Sequence, residues 1–429
     1  MSSCPRVLIN LMPSDPRTIL MLTSCYPKKS GEPSGIFIHH LAKQLKRQGW
    51  RVVVLVPNFP GGSIREEIEG ILVHRFNYFI PRWQNLCYGS GMLPNLKKSP
   101  ALSFQVPFYL ASMFWSVIKV LKTDSVDLIH AHWVLPQGLV ARLIWAFTKK
   151  PFVLTVHGGD IFAFGGFWGT FLKRFALGAA RVCTANSTFT QSRVKRVTDQ
   201  IPIRVVPMGV DVDCVSPRAF DPMLREQLGI QGEMVLFVGR LVEQKGVHHL
   251  LGAMPEVLEM FPKAVLVLIG DGTQKAELKQ FAARSGIIDA VRFLGVVSHD
   301  RLPLYYAAAD VFVGPSVVDR NGVTEGLGVV FLEAASSGVP IIGTSVGGIS
   351  DVLREGVTGL AVPPAEKRAL AQAIKRILLD DQLRNRLGKE ARKTVLENFS
   401  WCQIAEQFGK LFRKILEEND ASSGKQPPL

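Results

Sequence analysis

The sequence predicts an α/β protein built from two consecutive doubly wound, Rossmann-like domains with parallel sheets. Three observations carry this. Short β-branched runs alternate with amphipathic helical stretches along almost all of the 429 residues, which is the pattern of stacked βαβ units. The alternation breaks at Pro207-Met208-Gly209-Val210-Asp211, reinforced by Pro217 and Pro222, and then restarts. The length and a hydrophobic content of 47% suffice for two well-developed cores.

In the first half, residues 18–23, 52–56, 128–132, 153–157, 181–184 and 204–206 read as strands. Helices fill 35–48, 103–121, 137–147 and 187–197. After the break, strands are expected at 235–239, 264–269, 291–294, 310–314, 340–343 and 360–362, with helices at 247–260 and 274–284. Two more helices follow at 365–379 and 381–398, and a last amphipathic one from 401 to about 416. The expected division is a first domain at 1–207, a second at 208–398, a C-terminal helix at 399–420 and a disordered Ser/Gly/Pro tail at 421–429.

The formal net charge of +14 is unevenly placed. Residues 1–206 carry 25 Lys+Arg against 9 Asp+Glu, whereas 207–429 carry 25 against 27. A one-sided surplus calls for an acidic partner of the first half: an anionic membrane surface, lipid phosphate or nucleic acid. No nucleic-acid-binding motif accompanies it, which argues against the last. Between residues 76 and 121, aromatic side chains (Phe79, Trp83, Phe108, Trp115 among them) interleave with Arg82, Lys97, Lys98 and Lys119. This mixture fits a face lying in a lipid interface; core aromatics with a solvated rim would look the same.

Six cysteines, at 4, 25, 87, 183, 214 and 402, form no C-x-x-C pair, so reduced thiols in the cytoplasm are expected, without zinc or a disulfide framework. The apolar run at 7–12 is too short for a signal peptide. No run of 18 uncharged apolar residues is found, so no bilayer-spanning helix is expected. Asn186-Ser187-Thr188 spells a glycosylation sequon, taken as chance in a cytoplasmic chain.

The most informative spacing is Glu325-Gly-Leu-Gly-Val-Val-Phe-Leu-Glu333. Glu325 falls on a loop where Gly326 and Gly328 let backbone approach a ligand. A helix then starts near Val329 and encloses Glu333 among apolar residues, where a carboxylate needs hydroxyl or amide donors. Upstream, Arg240 and Lys245 follow a strand and stand at the start of a helix, an anion site suited to a leaving diphosphate. Gly270-Asp271-Gly272 makes another strand-to-helix turn, a weak signal alone. Neither a G-x-G-x-x-G fingerprint in context nor a Walker lysine motif occurs, so dinucleotide and P-loop readings lose ground.

In the first half, Ser34-Gly35 opens a helix after the first strand; it presents amides to phosphate, or Ser34 is simply an N-cap. The strand at 153–157 ends in His157-Gly158-Gly159-Asp160, placing histidine either against a transferred group or in a satisfied buried position. His130 and His132 share a strand face but lack a third metal ligand. Asp211-Val-Asp213 lies at the linker and reads as a turn.

In their order and spacing, Ser34-Gly35-Ile36, Thr155–Asp160, Met208–Asp211, Val238-Gly239-Arg240 with Lys245-Gly246, and Glu325 with Glu333 resemble the retaining GT-B glycosyltransferases of family 4. The resemblance spans nearly the whole chain. It implies two Rossmann-like domains facing a central cleft, with the last helix crossing back to the first domain. It further implies that a sugar moves from a nucleotide-diphosphate sugar, with retained configuration and no metal or other cofactor. Arg240, Lys245 and Gly35 then serve the donor diphosphate, and Glu333, Gly270 and Gly272 the ribose and nucleotide. Asp160, Gly328 and Val329 serve the donor sugar, with His157 and Glu325 as catalytic residues. Many relatives carry two glycines where this chain has Ser34-Gly35. The expected acceptor is lipid-linked or a saccharide, in polysaccharide or glycolipid assembly at the inner membrane face. The alternatives are a soluble small-molecule acceptor or a nucleotide-sugar-binding protein without turnover.

Overall fold

The structure is a computed structural model and describes residues 16–29, 32, 34–89, 91–320 and 322–422. Among these, the chain up to Val206 together with Ile404 onward forms one compact unit, and Pro207–Gln403 forms the other. The division falls at the proline-marked break in the pattern.

The N-terminal unit holds eight strands: β1 Thr18–Leu22, β2 Arg51–Pro57, β3 Arg65–Ile68, β4 Ile71–Phe76, β5 Leu128–His132, β6 Phe152–Val156, β7 Val182–Ala185 and β8 Ile203–Val205. Their order is β3-β4-β2-β1-β5-β6-β7-β8. All pairings are parallel except β3 with β4. β1 and β5 are buried along their whole length, as strands covered on both faces must be. The helices Gln105–Thr123, Leu139–Thr148 and Gly166–Leu177 cover one face, joined to the sheet through Tyr109, Met113, Val117, Ile144 and Leu177. On the other face, the His130 ring packs against Phe408 and Phe412 of the last helix, Trp401–Ser422. That helix also sets Phe412 edge-on to Trp50 and joins Asp420 to Arg17.

The C-terminal unit is a six-stranded parallel sheet of β9 Met234–Val238, β10 Val265–Ile269, β11 Val291–Gly295, β12 Val311–Gly314, β13 Ile341–Thr344 and β14 Gly359–Val362. The order is β11-β10-β9-β12-β13-β14. Alternate residues feed two cores: Leu236, Phe312 and Phe331 on one side, Val235, Leu250 and Ile374 on the other.

Several expectations are corrected. The β3–β4 hairpin was not anticipated, because β3 is a short charged edge strand without an apolar pattern; Glu69 and Gly70, at φ 48° and 80°, turn it tightly. The Gly166–Leu177 helix was likewise missed behind its aromatic and glycine content. The last helix continues through Ala421 and Ser422, where a disordered tail was expected to begin, and residues 423–429 lie outside the described residues. So does the apolar run at 7–12. Cys25, Cys87, Cys183 and Cys214 are free thiols. The helical stretch Pro100–Thr123 is long and apolar enough to cross a bilayer by length and composition alone; Ser103, Gln105 and Pro107 interrupt the apolar run that the sequence reading looked for.

Candidate functional site

In the C-terminal unit the strand order reverses between β9 and β12. Open α/β sheets bind ligands at such a point, beyond the carboxyl ends of the strands. The loop after β9 delivers Arg240 and Lys245, and the loop after β12 delivers Glu325. Lys245 Nζ forms an ion pair with the Glu325 carboxylate, with both side chains largely buried. Arg240, on the same loop as Lys245, is exposed. The next helix, Val247–Met260, begins at Gly246 without a side-chain cap, so its first amides and dipole face the same edge. Gly246 is required there: its φ is 63°, and a Cβ would collide with the Pro315 carbonyl.

The Glu325 loop is stitched down by residues that the sequence reading did not single out. Gln244 Nε2 donates to Asp319 (2.6 Å), Val323 N donates to Asp319 Oδ1 (2.8 Å), and Gly348 N donates to the Glu325 carbonyl (3.0 Å). Gly328 caps the helix Val329–Ser336, putting Val329 at its first position. Within this helix Glu333 accepts a 2.6 Å hydrogen bond from the Tyr306 hydroxyl. The protein thus supplies one donor that the sequence reading sought from a ligand. Burial raises the Glu333 carboxyl above its ordinary value, and the Tyr306 hydrogen bond opposes that rise.

Gly270 and Gly272 lie on the same edge, after β10. A Cβ at Gly270 would strike the Gly239 carbonyl, and one at Gly272 the Leu241 backbone. Gly272 N donates to Asp271 Oδ1 (2.8 Å) and Gly270 N to the Gly295 carbonyl (2.7 Å). These glycines bring the β10 loop against the β9 loop, and their own amides are already engaged.

In the N-terminal unit the reversal lies between β1 and β5. Gly35 follows β1, at φ 67° with the Cys25 carbonyl where a Cβ would stand. It is Gly35 that caps the helix Ile36–Arg47, without a side-chain hydrogen bond, so the Ser34 N-cap expectation does not hold. His157 follows β6, and His132 ends β5. His132 Nδ1 and His157 Nε2 are 3.1 Å apart, their rings stacked at 19°. Phe37 and Trp133 pack on the same imidazole, with ring centroids at 5.1 and 5.0 Å. Burial pushes the His157 imidazole down to about 3, leaving it neutral at physiological pH. His157 is thus packed and hydrogen-bonded, and it stands at the carboxyl edge of the first sheet.

Asp160 is placed differently from a sugar ligand. Its oxygens accept from Val134 N (2.9 Å) and His157 N (3.1 Å), so it ties the β5 and β6 loops together. Burial pushes this carboxyl up to about 6. Asn186 Nδ2 donates to the His157 carbonyl (3.1 Å), which gives the buried sequon asparagine a structural task. Asp211 Oδ1 accepts from Asp213 N and Cys214 N at 3.2 and 3.1 Å, an Asx turn as expected. His130 bonds Thr155 Oγ1 at 2.7 Å, and no cluster of three metal-ligating side chains occurs among the described residues.

Comparison with known proteins identifies the family. Residues 34–214 match the family described as Glycosyltransferase Family 4, and residues 222–394 that described as Glycosyl transferases group 1. The chain is 28% identical to an uncharacterised glycosyltransferase of Methanocaldococcus jannaschii, over 93% of this chain and 98% of that protein. It is 30% identical to a GDP-mannose-dependent alpha-(1-6)-phosphatidylinositol monomannoside mannosyltransferase of Mycolicibacterium smegmatis, over 62% of this chain and 71% of the relative. Sucrose-phosphate synthase from Thermosynechococcus elongatus shares the fold at a TM-score of 0.73 and 24% identity, covering 94% of this chain and all of that one. With the fold, the two strand-order reversals and these matches agreeing, the chain belongs to the group 1, family 4 glycosyltransferases.

Proposed function

We propose that this glycosyltransferase moves a sugar from a nucleotide-diphosphate sugar to a lipid-linked acceptor, with retained anomeric configuration, in polysaccharide or glycolipid assembly. The observation that carries the donor half is the Lys245–Glu325 ion pair at the reversal of the second sheet. A diphosphate arriving there meets Arg240, Lys245 and a helix N-terminus, which neutralise the charge that builds as the sugar leaves. Lys245 then turns from Glu325 to phosphate, and Glu325 is released to accept a donor-sugar hydroxyl. Glu333 takes the ribose, while Gly270 and Gly272 shape the backbone beside the nucleotide; in the N-terminal unit, Gly35 offers its helix start to phosphate. Gly328 and Val329 place the sugar-side loop.

In the transfer step the acceptor hydroxyl oxygen bonds to the anomeric carbon as the bond from that carbon to the phosphate oxygen breaks. The departing phosphate oxygen takes the hydroxyl proton on the same face. His157 is neutral and contacts the sugar through a hydrogen bond, with Asp160 holding its loop. The charge stabilisation comes from protein cations, without a metal ion. The lipid-linked acceptor and peripheral attachment at the inner membrane face are supported by the basic N-terminal half and by a relative named for a phosphatidylinositol mannoside acceptor.

A thermal-shift screen of nucleotide sugars identifies the donor, and proton NMR of the product reads the anomeric configuration. Inverted configuration, or loss of transfer on chelation, would overturn the corresponding part of the mechanism. Binding without turnover on any lipid-linked or soluble acceptor would leave a nucleotide-sugar-binding protein.

A further inference from the structure

The helix Gln105–Thr123 is amphipathic in an unusual sense. Its inner stripe, Tyr109, Met113, Val117 and Val120, is buried against the sheet. Its outer stripe at the same helical spacing is Phe104, Phe108, Ala111 and Trp115, with Lys119 and Lys122 following. A solvent face should be polar there. Phe104 and Trp115 are each 68% exposed, Phe147 of the neighbouring helix 76%, and Phe167 and Trp168 of the third helix 76% and 72%. Phe114 bridges Trp115 to Phe147, with centroids at 5.5 and 6.0 Å, and the three helices pack side by side on one face of the sheet. This is a broad unpartnered apolar surface, of the kind that marks an interaction site.

Charge identifies the occupant. The segments 70–123, 128–159 and 161–198 contain no Asp or Glu. The acids between them are occupied: Asp124 pairs with Arg51, Asp127 with Arg17, and Asp160 holds the β5 and β6 loops. Lys119, Lys122 and Arg174 therefore lie on these helices, Lys149 at the end of the second and Arg82 ahead of the first, with no balancing acid in the same segments. Two copies of such a face would repel one another, whereas an anionic bilayer satisfies both its apolar centre and its cationic rim. The buried inner stripe holds the long helix within the unit, so it lies along an interface rather than crossing a membrane.

We propose that the outer face of helices Gln105–Thr123, Leu139–Thr148 and Gly166–Leu177 docks this unit onto an anionic phospholipid bilayer. The inference rests on the lipid-linked acceptor reading and deepens it. The first and third of these helices return the chain from the carboxyl ends of β4 and β6 to the starts of β5 and β7. Their N-terminal aromatics, Phe104, Phe108, Phe167 and Trp168, thus lie toward the sheet edge that carries His157. Docking sets that edge at headgroup depth, where an acceptor can offer its sugar or phosphate while its hydrocarbon chain stays in the bilayer.

Flotation of the full chain with phosphatidylcholine vesicles, and with vesicles also carrying phosphatidylglycerol, tests this. Strong binding to the anionic vesicles alone is expected. Trp115→Ser with Phe147→Ser should weaken it about tenfold or more, and Lys119→Gln with Lys122→Gln should weaken it by about tenfold. These side chains are exposed, so the fold should persist; an unchanged nucleotide-sugar thermal shift in the same variants verifies it. Absence of flotation, equal binding to both vesicle types, or variants that float like the parent would overturn the proposal. So would a concentration-dependent dimer abolished by Trp115→Ser and Phe147→Ser. A parent chain that floats but shows no thermal shift with any nucleotide sugar would instead count against the glycosyl-transfer reading alone.

Discussion

Lys245 and Glu325 lie 80 residues apart in sequence and form an ion pair across the point where the second sheet reverses its strand order. Each neutralises the other within a mostly closed environment, so neither is easily removed alone. Under the proposed function, a diphosphate would exchange one anionic partner of Lys245 for another, and the lysine would need no new desolvation.

Lys245→Ala should lower turnover at least about 100-fold, as loss of one preorganised charge at a leaving group does. Glu325→Gln should lower kcat with a smaller effect on donor affinity, because Lys245 and Arg240 remain to hold the diphosphate. Steady-state kinetics with the identified donor separates the two; parent-like turnover in either variant removes that residue from the mechanism.

Acid should destabilise the N-terminal unit. His130 and His157 are pushed down to about 3 by burial, and His132 lies well below its ordinary 6.5, again chiefly through burial. Their folded values are depressed, so the unfolded chain binds more protons below pH 6.5. The stability they contribute is complete above that pH and falls toward 3 at up to about 1.4 kcal/mol per pH unit for each group. Asp160, pushed up from 3.8 to about 6, acts with the opposite sign between those values and cancels roughly one of the three. Thermal melts from pH 7 to 4.5 should show a falling midpoint, and His132→Asn should flatten the slope.

Tyr306→Phe should leave the Glu333 carboxylate short of its 2.6 Å donor. A loss of about 1–3 kcal/mol is expected, with the Glu333 pKa moving further up because the interaction opposing its rise is gone. Denaturant melts in a pH series rising from Glu333's ordinary 4.5 measure both: with its folded carboxyl pKa raised, Glu333 contributes less stability as pH rises above that value, so the variant's deficit should grow along the series.

Gly246→Ala should be costly for a small change. The left-handed φ of 63° and the Pro315 carbonyl both exclude a Cβ, so a destabilisation above about 2 kcal/mol is expected. The loop carrying Lys245 should shift with it, lowering donor affinity as well. An alanine variant with the parent's melting point would show that this turn has more freedom than its contacts allow.

Much of this molecule was legible in sequence because parallel strands buried on both faces must be short and β-branched, and helices covering them must be periodic. β9 to β14 accordingly fall within a residue or two of their expected positions, Arg240 and Lys245 follow β9 and Glu325 follows β12 as expected, and His157 follows β6 in the other unit. Pairings that join distant segments through single side chains leave no periodic trace. Tyr306 reaching Glu333, Gln244 reaching Asp319, His132 stacking on His157 and Asp160 turning to two backbone amides are decided by tertiary packing. The same holds for the aromatic layer: composition gives its residues, but only folding separates Tyr109, drawn into the core, from Trp115, left outside. Local pattern determines which face of an element is apolar, and only the assembled sheet decides which apolar faces are already covered.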